Sequence, residues 1–567
     1  RGAIPCELAI ADTGSTDGSR EVAARYADIL FDFPWVNDFS AARNAVIDRS
    51  SGVWYLTVDA DEWLDGDVSE LTAVLSAPPK EEASVGLVTQ RNYSTYEPNG
   101  PYMDFLAGRL VYTAQRPRYT GVVHEFWQWR ESPHYIVMRN TILHHDGYVD
   151  LNRGGSSKEA RNMALLREKV KKQPDDLMTH LQMIESGQNA PDILDILHRA
   201  VRLVEERKRY WETIGPPILR YAVFLASMKK LPELPVWIQE AEDLFPDSAF
   251  TRMDVSFIAF SYYLKQDDYE EAARRGERYL TALEEDRAGR LDPLARVYSA
   301  LQTAMPPKEQ AIKISLADVY RRLDRGEEAL SLLSGLDFSL LDRDTAGKLA
   351  QVLMNLQMNT TLDVPRLTAA AWEGICAPVP SQAKAEERKG AFYEMALSSF
   401  SSKNRAAERE QARFIRHTYT MFLPLRDRCE LGRGAALLET EDPRAMGELL
   451  AGVENWRLLP GAALAHALNC GVTFPLPGKP LNLEEMDVLA SRLIEDMGAP
   501  LSALLPAERD TPLALAWARG LVLAAVRSCG WDDGPHMELA RLFAETEGKF
   551  LPLCYAPEAL REENLFL

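Results

Sequence analysis

Hydrophobic and polar positions follow two different patterns along the chain, and the change falls near residue 150. Before it, short apolar runs typical of strands alternate with segments of helical periodicity. The predicted strands are "CELAIAD", "VWYLTVDAD" and "SVGLVTQRNY", and the predicted helices are "SREVAARYA", "FSAARNAVIDRS" and "VSELTAVLS". Alternation of this kind predicts an α/β sheet of Rossmann-like type.

From "KEARNMALLREKVKKQPDD" onward, strand signals nearly vanish and amphipathic helices of about a dozen residues follow one another. Two segments share a sequence pattern. Tyr263 precedes Ala272, and Tyr320 precedes Ala329, by the same nine positions across an acidic turn. This sequence pattern resembles that of the tetratricopeptide (TPR) helical hairpin and predicts a helical solenoid. An irregular helical domain is the alternative. We predict an α/β domain at 1–155 and a TPR-like all-α region at 156–567, divided into 156–375 and 376–567.

Composition narrows the class of protein. The chain has 567 residues, of which 46% are hydrophobic, and a net charge of -20. Such an acidic balance argues against a general nucleic-acid binder, which needs a basic face. The six cysteines are scattered without a Cys-x-x-Cys pair, which favours a reducing, cytoplasmic setting. No apolar run reaches the roughly 18 residues that a membrane span needs, so we expect none.

A group of acids follows the strand in "WYLTVDADEW". The pattern places Asp59 and Asp61 at the carboxyl end of a strand, where open α/β sheets bind ligands. Because alternate strand residues share a face, the two carboxylates are predicted to converge on one cation, which substrate phosphates would then share. The chain also supplies a control, since Asp342 and Asp344 have the same spacing in "LDRDTAG" with no strand before them. We expect those two to begin a solvated helix.

Two further polar clusters are candidates for a site. "ADTGSTDGS" after the first strand is either a capped strand-to-helix turn or a nucleotide-binding turn, and one backbone can serve both purposes. Histidines cluster where the α/β half ends, at His124, His134, His144 and His145. If the last segment is extended, His144 and His145 point to opposite sides. We expect His144 to be packed or on the surface.

Three stretches, "ADTGSTDGS", "DFSAARNAV" and "WYLTVDADEW", in this order resemble the catalytic domain of family 2 glycosyltransferases, inverting sugar-nucleotide enzymes of the GT-A fold. The resemblance extends through "RYTGVVHEF" and "LHHDGY" over about the first 180 residues. It implies that Asp12 and Thr13 lie near the nucleoside of the donor. Arg43 would lie near the pyrophosphate, with Asn44 supporting its loop.

The same resemblance implies a metal site and a base. Asp59 and Asp61 would be the metal pair, with Asp61 the more direct ligand and Asp59 also beside the donor. His145 would complete the coordination of Mn²⁺ or Mg²⁺. An inverting transfer needs a group that takes the proton of the acceptor hydroxyl, and in "GVVHEF" Glu125 is the first candidate, followed by His124.

The neighbouring "FWQW" leaves two interpretations open. Trp127 and Trp129 would form either a flat platform for a sugar or peptide acceptor, or a hydrophobic plug against the helical half.

The predicted function is a metal-assisted, hexosyltransferase-like transfer of a sugar from a nucleotide-sugar, a UDP-sugar above all, to an acceptor hydroxyl on a protein or glycan. A protein partner is expected at the helical region. The alternatives are a non-catalytic helical scaffold carrying a degenerate transferase domain, and a metal-dependent nucleotidyltransferase.

Members of the family have a further strand and helix before the segment matched here by "CELAIAD", so we expect sequence upstream of Arg1. Without that strand, the strands ending at Asp12 and Asp59 would either pair directly or leave a gap.

Overall fold

The structure is a computed structural model. It describes residues 5–64, 67–77, 83–93, 102–128, 133–147, 151–291, 303–358, 361–377, 382–398 and 416–472, with 476, 485, 488 and 489.

The first part of the chain alternates strands and helices, as predicted. Its strands are β1 (Ala9–Asp12), β2 (Ile29–Asp32), β3 (Trp54–Leu56), β4 (Glu62–Leu64), β5 (Ser84–Tyr93), β6 (Tyr102–Tyr112), β7 (Arg118–Thr120), β8 (Phe126–Gln128) and β9 (His134–His145). Its helices are α1 (Ser19–Tyr26), α2 (Phe39–Ile47) and α3 (Ser69–Ser76). The six predicted elements correspond to β1, α1, α2, β3, α3 and β5.

The strands form one mixed sheet and two smaller ones. The larger sheet has the order β3-β6-β5-β9-β4, in which only the β5–β9 pair is parallel. β1 and β2 form a separate parallel pair, and β7 and β8 an antiparallel pair. In the described part of the chain β1 therefore pairs with β2 and not with β3.

The larger sheet buries apolar side chains on both faces. One face packs Val88, Leu110 and Leu143 against Leu71 of α3. The other face buries Val85, Leu87, Leu106 and Val111, with Trp127 and Tyr135 packed against them. The face that α3 covers is called the α3 face. The candidate site lies at one end of this face.

Helices follow from Leu151 onward. They are α4 (Leu151–Lys172), α5 (Leu177–Ser186), α6 (Ile193–Glu205), α7 (Trp211–Lys229), α8 (Leu234–Leu244), α9 (Ser256–Lys265), α10 (Tyr269–Arg287), α11 (Pro306–Arg322), α12 (Gly326–Ser334), α13 (Arg343–Leu356), α14 (Val364–Cys376), α15 (Gln382–Ser398), α16 (Glu430–Glu439), α17 (Pro443–Ala451) and α18 (Gly461–Asn469). The predicted fold class, an α/β part followed by an all-α part, is confirmed.

The two segments that share the TPR-like sequence pattern are helical hairpins, α9–α10 and α11–α12, with the same turn. Asp267 and Asp324 occupy equivalent positions and both adopt the left-handed conformation, with φ 57° and 62°. The next backbone N–H in each copy donates to the carbonyl of the shared tyrosine, Tyr263 or Tyr320, at 3.0 and 2.8 Å. The small residue of each copy is fully buried, because a larger side chain would separate the packed helices. Both segments that carry the TPR-like sequence pattern therefore form helical hairpins, as predicted.

The control pair of acids behaves as predicted. Asp342 caps the N-terminus of α13 through a capping box with Thr345, and Asp344 lies exposed in the first turn. Both acids are thus explained by the start of a helix.

The chain divides into two compact units, Arg1–Met305 and Pro306–Leu567. The first unit contains the α/β part together with α4 to α10. The domain boundaries predicted near 155 and 375 stay predictions. Within the described ranges, no helix has both the length and the apolar character needed to cross a bilayer.

Candidate active site

The acids of "DADE" lie in a turn between two strands. β3 ends at Leu56 and β4 begins at Glu62, so Asp59 and Asp61 are not on the strand itself. The argument that both carboxylates share one face of a strand is therefore wrong. The turn is closed instead by Glu62, whose N–H donates to the carbonyl of Asp59 at 3.0 Å while its carboxylate accepts from the N–H of Asp59 at 2.8 Å.

Asp59 is held between two guanidinium groups. Its Oδ1 accepts from Nη2 of Arg43 at 2.7 Å, and its Oδ2 accepts from Nη1 of Arg109 at 3.2 Å. Burial alone would raise the pKa of the Asp59 carboxyl, but Arg109 and Arg43 outweigh it and hold the pKa below its ordinary value. Asp59 is therefore a fixed anion that keeps free lone pairs for a ligand.

Arg43 connects Asp59 to the predicted base. Its Nε donates to Oε1 of Glu125, whose side chain is 12% exposed, while its Nη2 binds Asp59. Burial lowers the pKa of Arg43, but the carboxylates of Glu125 and Asp59 outweigh this effect and raise it. α2, which carries Arg43, also holds β7 through Asn44, whose side-chain amide exchanges two 2.9 Å hydrogen bonds with the backbone of Tyr119. The structure thus brings Arg43, Asp59 and Glu125 together, as predicted for one site.

Arg109 and Glu62 are two members of this cluster that sequence reasoning missed. Nη2 of Arg109 donates to Oε1 of Glu62 at 2.5 Å and to Oε1 of Gln90 at 3.3 Å. The Glu62 side chain is fully buried, and burial raises the pKa of its carboxyl despite the opposing charge of Arg109. A charged residue inside the apolar run "FLAGRLVY" was the available signal, since a buried charge needs a partner.

A β-bulge directs Arg109 into the site. The register of β6 on β5 steps from Leu110 opposite Gly86 to Gly108 opposite Leu87, so Arg109 is the extra residue. Neighbours in a regular strand face opposite sides, yet here both Arg109 and Leu110 lie on the α3 face. Bulges commonly redirect a side chain in this way beside functional sites.

Asp61 and His145 form a second pair of possible ligands. Nε2 of His145 lies 3.4 Å from Oδ2 of Asp61, and its Nδ1 is hydrogen-bonded to Oδ1 of Asn92. A Cβ at Gly147 would lie 2.4 Å from Oδ2 of Asp61 and 2.6 Å from Nε2 of His145. Glycine therefore keeps open the space that both donor atoms border, and one carboxylate oxygen with one imidazole nitrogen fits a divalent cation.

The fit is limited to these two protein donors. Among the residues that the structure describes, no group of three His, Cys, Asp or Glu side chains is arranged to hold a metal ion. The carboxylate of Asp59 accepts hydrogen bonds from Arg43 and Arg109. This geometry therefore gives no support to its predicted role as a metal ligand.

His144 and Trp127 are packed side chains. His144 lies on the opposite face from His145, where its ring packs in a group of three with Trp63 and Tyr93 and its Nδ1 is hydrogen-bonded to the Tyr93 hydroxyl at 2.7 Å. Trp127 stacks on Tyr119 at 3.8 Å and donates to the carbonyl of Gly108 at 2.8 Å. Trp127 is half-buried and packs against the apolar face of the sheet, and its two predicted roles, as an acceptor platform or as a plug against the helices, stay predictions. Trp129 lies outside the described residues.

Asp12 and Thr13 lie at the end of β1, in the smaller parallel sheet. Oδ1 of Asp12 accepts from the N–H of Ser15 at 3.3 Å, and Thr13 and Gly14 are exposed. Gly14 has φ 108°, which favours glycine at this turn. The strand-to-helix turn predicted from the sequence is present, but α1 begins after Gly18 without a side-chain cap. The exposed backbone of the turn leaves it accessible to a ligand.

Comparisons with known proteins agree with this geometry. Residues 3–142 match the sequence model of the family described as Glycosyl transferase family 2. The α/β part of the chain is therefore a family 2 glycosyltransferase domain.

Two relatives extend the similarity. A TPR repeat-containing protein of Synechococcus elongatus is 36% identical over 107 residues, which are 18% of this chain and 27% of that protein. The SPbeta prophage-derived glycosyltransferase SunS of Bacillus subtilis is 26% identical over 190 residues, 30% of this chain and 40% of that protein. The matches thus span less than half of either relative.

The buried ion pair between Arg109 and Glu62 should contribute to the stability of the α/β part of the chain. We expect Arg109→Met to destabilise the protein by about 3–5 kcal/mol at pH 7, because it leaves a buried carboxylate without its cation. The pKa of Glu62 is already raised, so the penalty exists above that pKa and disappears as the carboxyl is protonated. The deficit relative to the parent should therefore shrink as the pH falls towards about 4. Urea denaturation at several pH values measures this.

Arg91→Met is the matched control, since Arg91 forms a bidentate pair with the more exposed Asp104 on the same sheet. It should cost at most about 1 kcal/mol. Adding Glu62→Gln to Arg109→Met should restore most of the lost stability. Equal, pH-independent losses for the two arginine variants would contradict the assignment.

Proposed function

We propose that the α/β domain transfers a sugar from a nucleotide-sugar, a UDP-sugar above all, to an acceptor hydroxyl with inversion at the anomeric carbon. The observation that carries the proposal is the bridge formed by Arg43, which joins Asp59, the predicted donor-binding acid, to Glu125, the predicted base. The bound donor and the base need fixed relative positions for the acceptor oxygen to attack the sugar.

In this proposal Glu125 accepts the proton of the acceptor hydroxyl as that oxygen attacks the sugar. Its side chain is largely shielded from water and oriented by Nε of Arg43. A carboxylate held in a fixed orientation in this way is a suitable general base. His124 is the weaker candidate, since its imidazole is hydrogen-bonded to Ser186.

Asp59 binds the donor in this proposal through the lone pairs that the two arginines leave available. Asp12 and Thr13 contact the nucleoside from the end of β1. Asp61 and His145 hold Mn²⁺ or Mg²⁺ in the space that Gly147 leaves open. When bound, the cation neutralises negative charge on the leaving diphosphate. Arg43 is assigned to positioning Glu125, in addition to its predicted place near the pyrophosphate.

The acceptor is proposed to be a hydroxyl on a protein or glycan, selected with help from the helical region. Helical hairpins in series form extended surfaces suited to long ligands and protein partners, and one relative is named for its TPR repeats. A cytoplasmic location is part of the proposal and agrees with the unpaired state of Cys6, Cys376, Cys429 and Cys470.

A donor screen by thermal shift tests the binding step. The full chain is heated with each nucleotide-sugar in the presence and absence of Mn²⁺. We expect at least one uridine diphosphate sugar to raise the melting temperature more with Mn²⁺ than without it. If no nucleotide-sugar shifts the melting temperature under either condition, the scaffold alternative is favoured.

A further inference from the structure

The loop of residues 121–125, "GVVHE", carries Glu125 and is held by α2 on one side. The N–H of Phe39 donates to the carbonyl of Val122 at 3.2 Å, and Arg43 donates to Glu125. Val123 is buried in the middle of the loop. Both contacts lie within the α/β part of the chain.

On its other side the loop is held by α5, a helix beyond the family 2 domain. Nε2 of Gln182 donates to the carbonyl of His124 at 3.1 Å. Oγ of Ser186 is hydrogen-bonded to Nε2 of the same histidine at 2.7 Å. Residues four apart lie on one face of a helix, so Gln182 and Ser186 reach the loop together.

The residue that α5 holds has an unfavourable backbone conformation. His124 has φ 50°, in the left-handed region that residues with a side chain rarely adopt. Such a conformation persists only where the surroundings fix it, and it is common at functional sites. His124 immediately precedes Glu125, so its backbone angles set the direction in which the Glu125 side chain leaves the loop.

α5 is a firm support for this contact. Gln182 is 3% exposed, and Leu181 and Ile184 are buried in the apolar core formed with α6 and α7. Breaking this hydrogen bond is costly, because the buried amide of Gln182 would lose its acceptor away from water.

We propose that Gln182 and Ser186 are positioning residues, which hold the 121–125 loop in the conformation that presents Glu125 to the acceptor. The proposal rests on the proposed function of Glu125. It gives the first helices after the family 2 domain a direct part in the reaction, in addition to any part in acceptor selection.

The test compares four full-length variants with the parent. Gln182→Glu keeps the shape of the side chain but replaces the amide donor by an acceptor. Ser186→Ala removes the hydroxyl, and Ser186→Thr retains it. The fourth variant combines Gln182→Glu with Ser186→Ala. Gln173→Glu and Ser227→Ala serve as controls at exposed positions of α4's end and α7.

Two measurements are made on each variant. Hydrogen exchange followed by mass spectrometry reports on the backbone of the loop. Steady-state kinetics with the donor found in the screen gives kcat and KM. We expect the double variant to exchange its loop amides about tenfold faster and to lose about 10-fold to 10²-fold in kcat, with little change in the donor KM. Ser186→Thr and both controls should behave like the parent.

The outcomes separate this inference from the function on which it rests. Unchanged loop exchange and kcat in the double variant would overturn the positioning role. Equal losses in the exposed controls would also overturn it. Faster loop exchange in variants of a protein that consumes no nucleotide-sugar would support the contact between α5 and the loop while contradicting the proposed function.

Discussion

Glu125→Gln should retain donor binding and lower turnover by about 10²-fold or more, which is the usual contribution of a positioned general base. Glutamine is nearly the same size and keeps an oxygen that can accept from Nε of Arg43. We therefore expect Glu125→Gln to keep the hydrogen bonds that connect position 125 through Arg43 to Asp59. What the variant lacks is a carboxylate that takes up a proton. Single-turnover kinetics with saturating donor isolates this step.

The pH profile distinguishes a base from a structural side chain. A base must be deprotonated to act, so the parent should lose activity in acid solution, and the variant should lack this dependence on pH. Glu168→Gln, at an exposed ion pair with Lys171 on α4, is the control and should leave kcat unchanged. A variant with the parent's rate and pH profile would show that another residue is the base.

Asp61→Asn should abolish the effect of Mn²⁺ on donor binding and leave the fold intact. Asp61 is an exposed turn residue whose side chain is 45% accessible, so the change removes a charged ligand and no core volume. His145→Ala should weaken the effect less, because the carboxylate remains. Calorimetric titration of the donor with and without Mn²⁺ measures both.

Two matched variants sharpen this result. Gly147→Ala places a methyl group in the space between Asp61 and His145 and should also abolish the effect of Mn²⁺ without removing a ligand. Asp344→Asn, in the chain's other Asp-x-Asp pair, should have no effect. Manganese-dependent donor affinity that survives in Asp61→Asn, His145→Ala and Gly147→Ala alike would contradict the metal assignment.

Local sequence patterns were sufficient for much of the fold. β5 begins and ends at the residues predicted for it, Ser84 and Tyr93, and α2 begins after Asp38, which caps it. β3 is shorter than its pattern, since Val58 to Asp61 form a turn stabilised by Glu62. Periodicity measures preference for extended structure and contains no information about a side chain that closes a turn.

The candidate site was foreseen only where a motif was local. Asp59, Asp61 and Glu125 stand in short recognisable stretches. Arg109 reaches the site because a bulge shifts the register of β6, and registers depend on the paired strand. Gln182 meets His124 across 58 positions of sequence, which no local pattern reports.

The most direct test of the central claim is the identity of what leaves the donor. The full chain is incubated with Mn²⁺ and a panel of nucleotide-sugars, and the products are identified by mass spectrometry, with Glu125→Gln and Asp61→Asn in parallel. The account predicts that the parent releases a nucleoside diphosphate and a transferred or hydrolysed sugar, and that both variants release far less. Products bearing a transferred nucleotide, or an equal release of diphosphate by all three proteins, would contradict it.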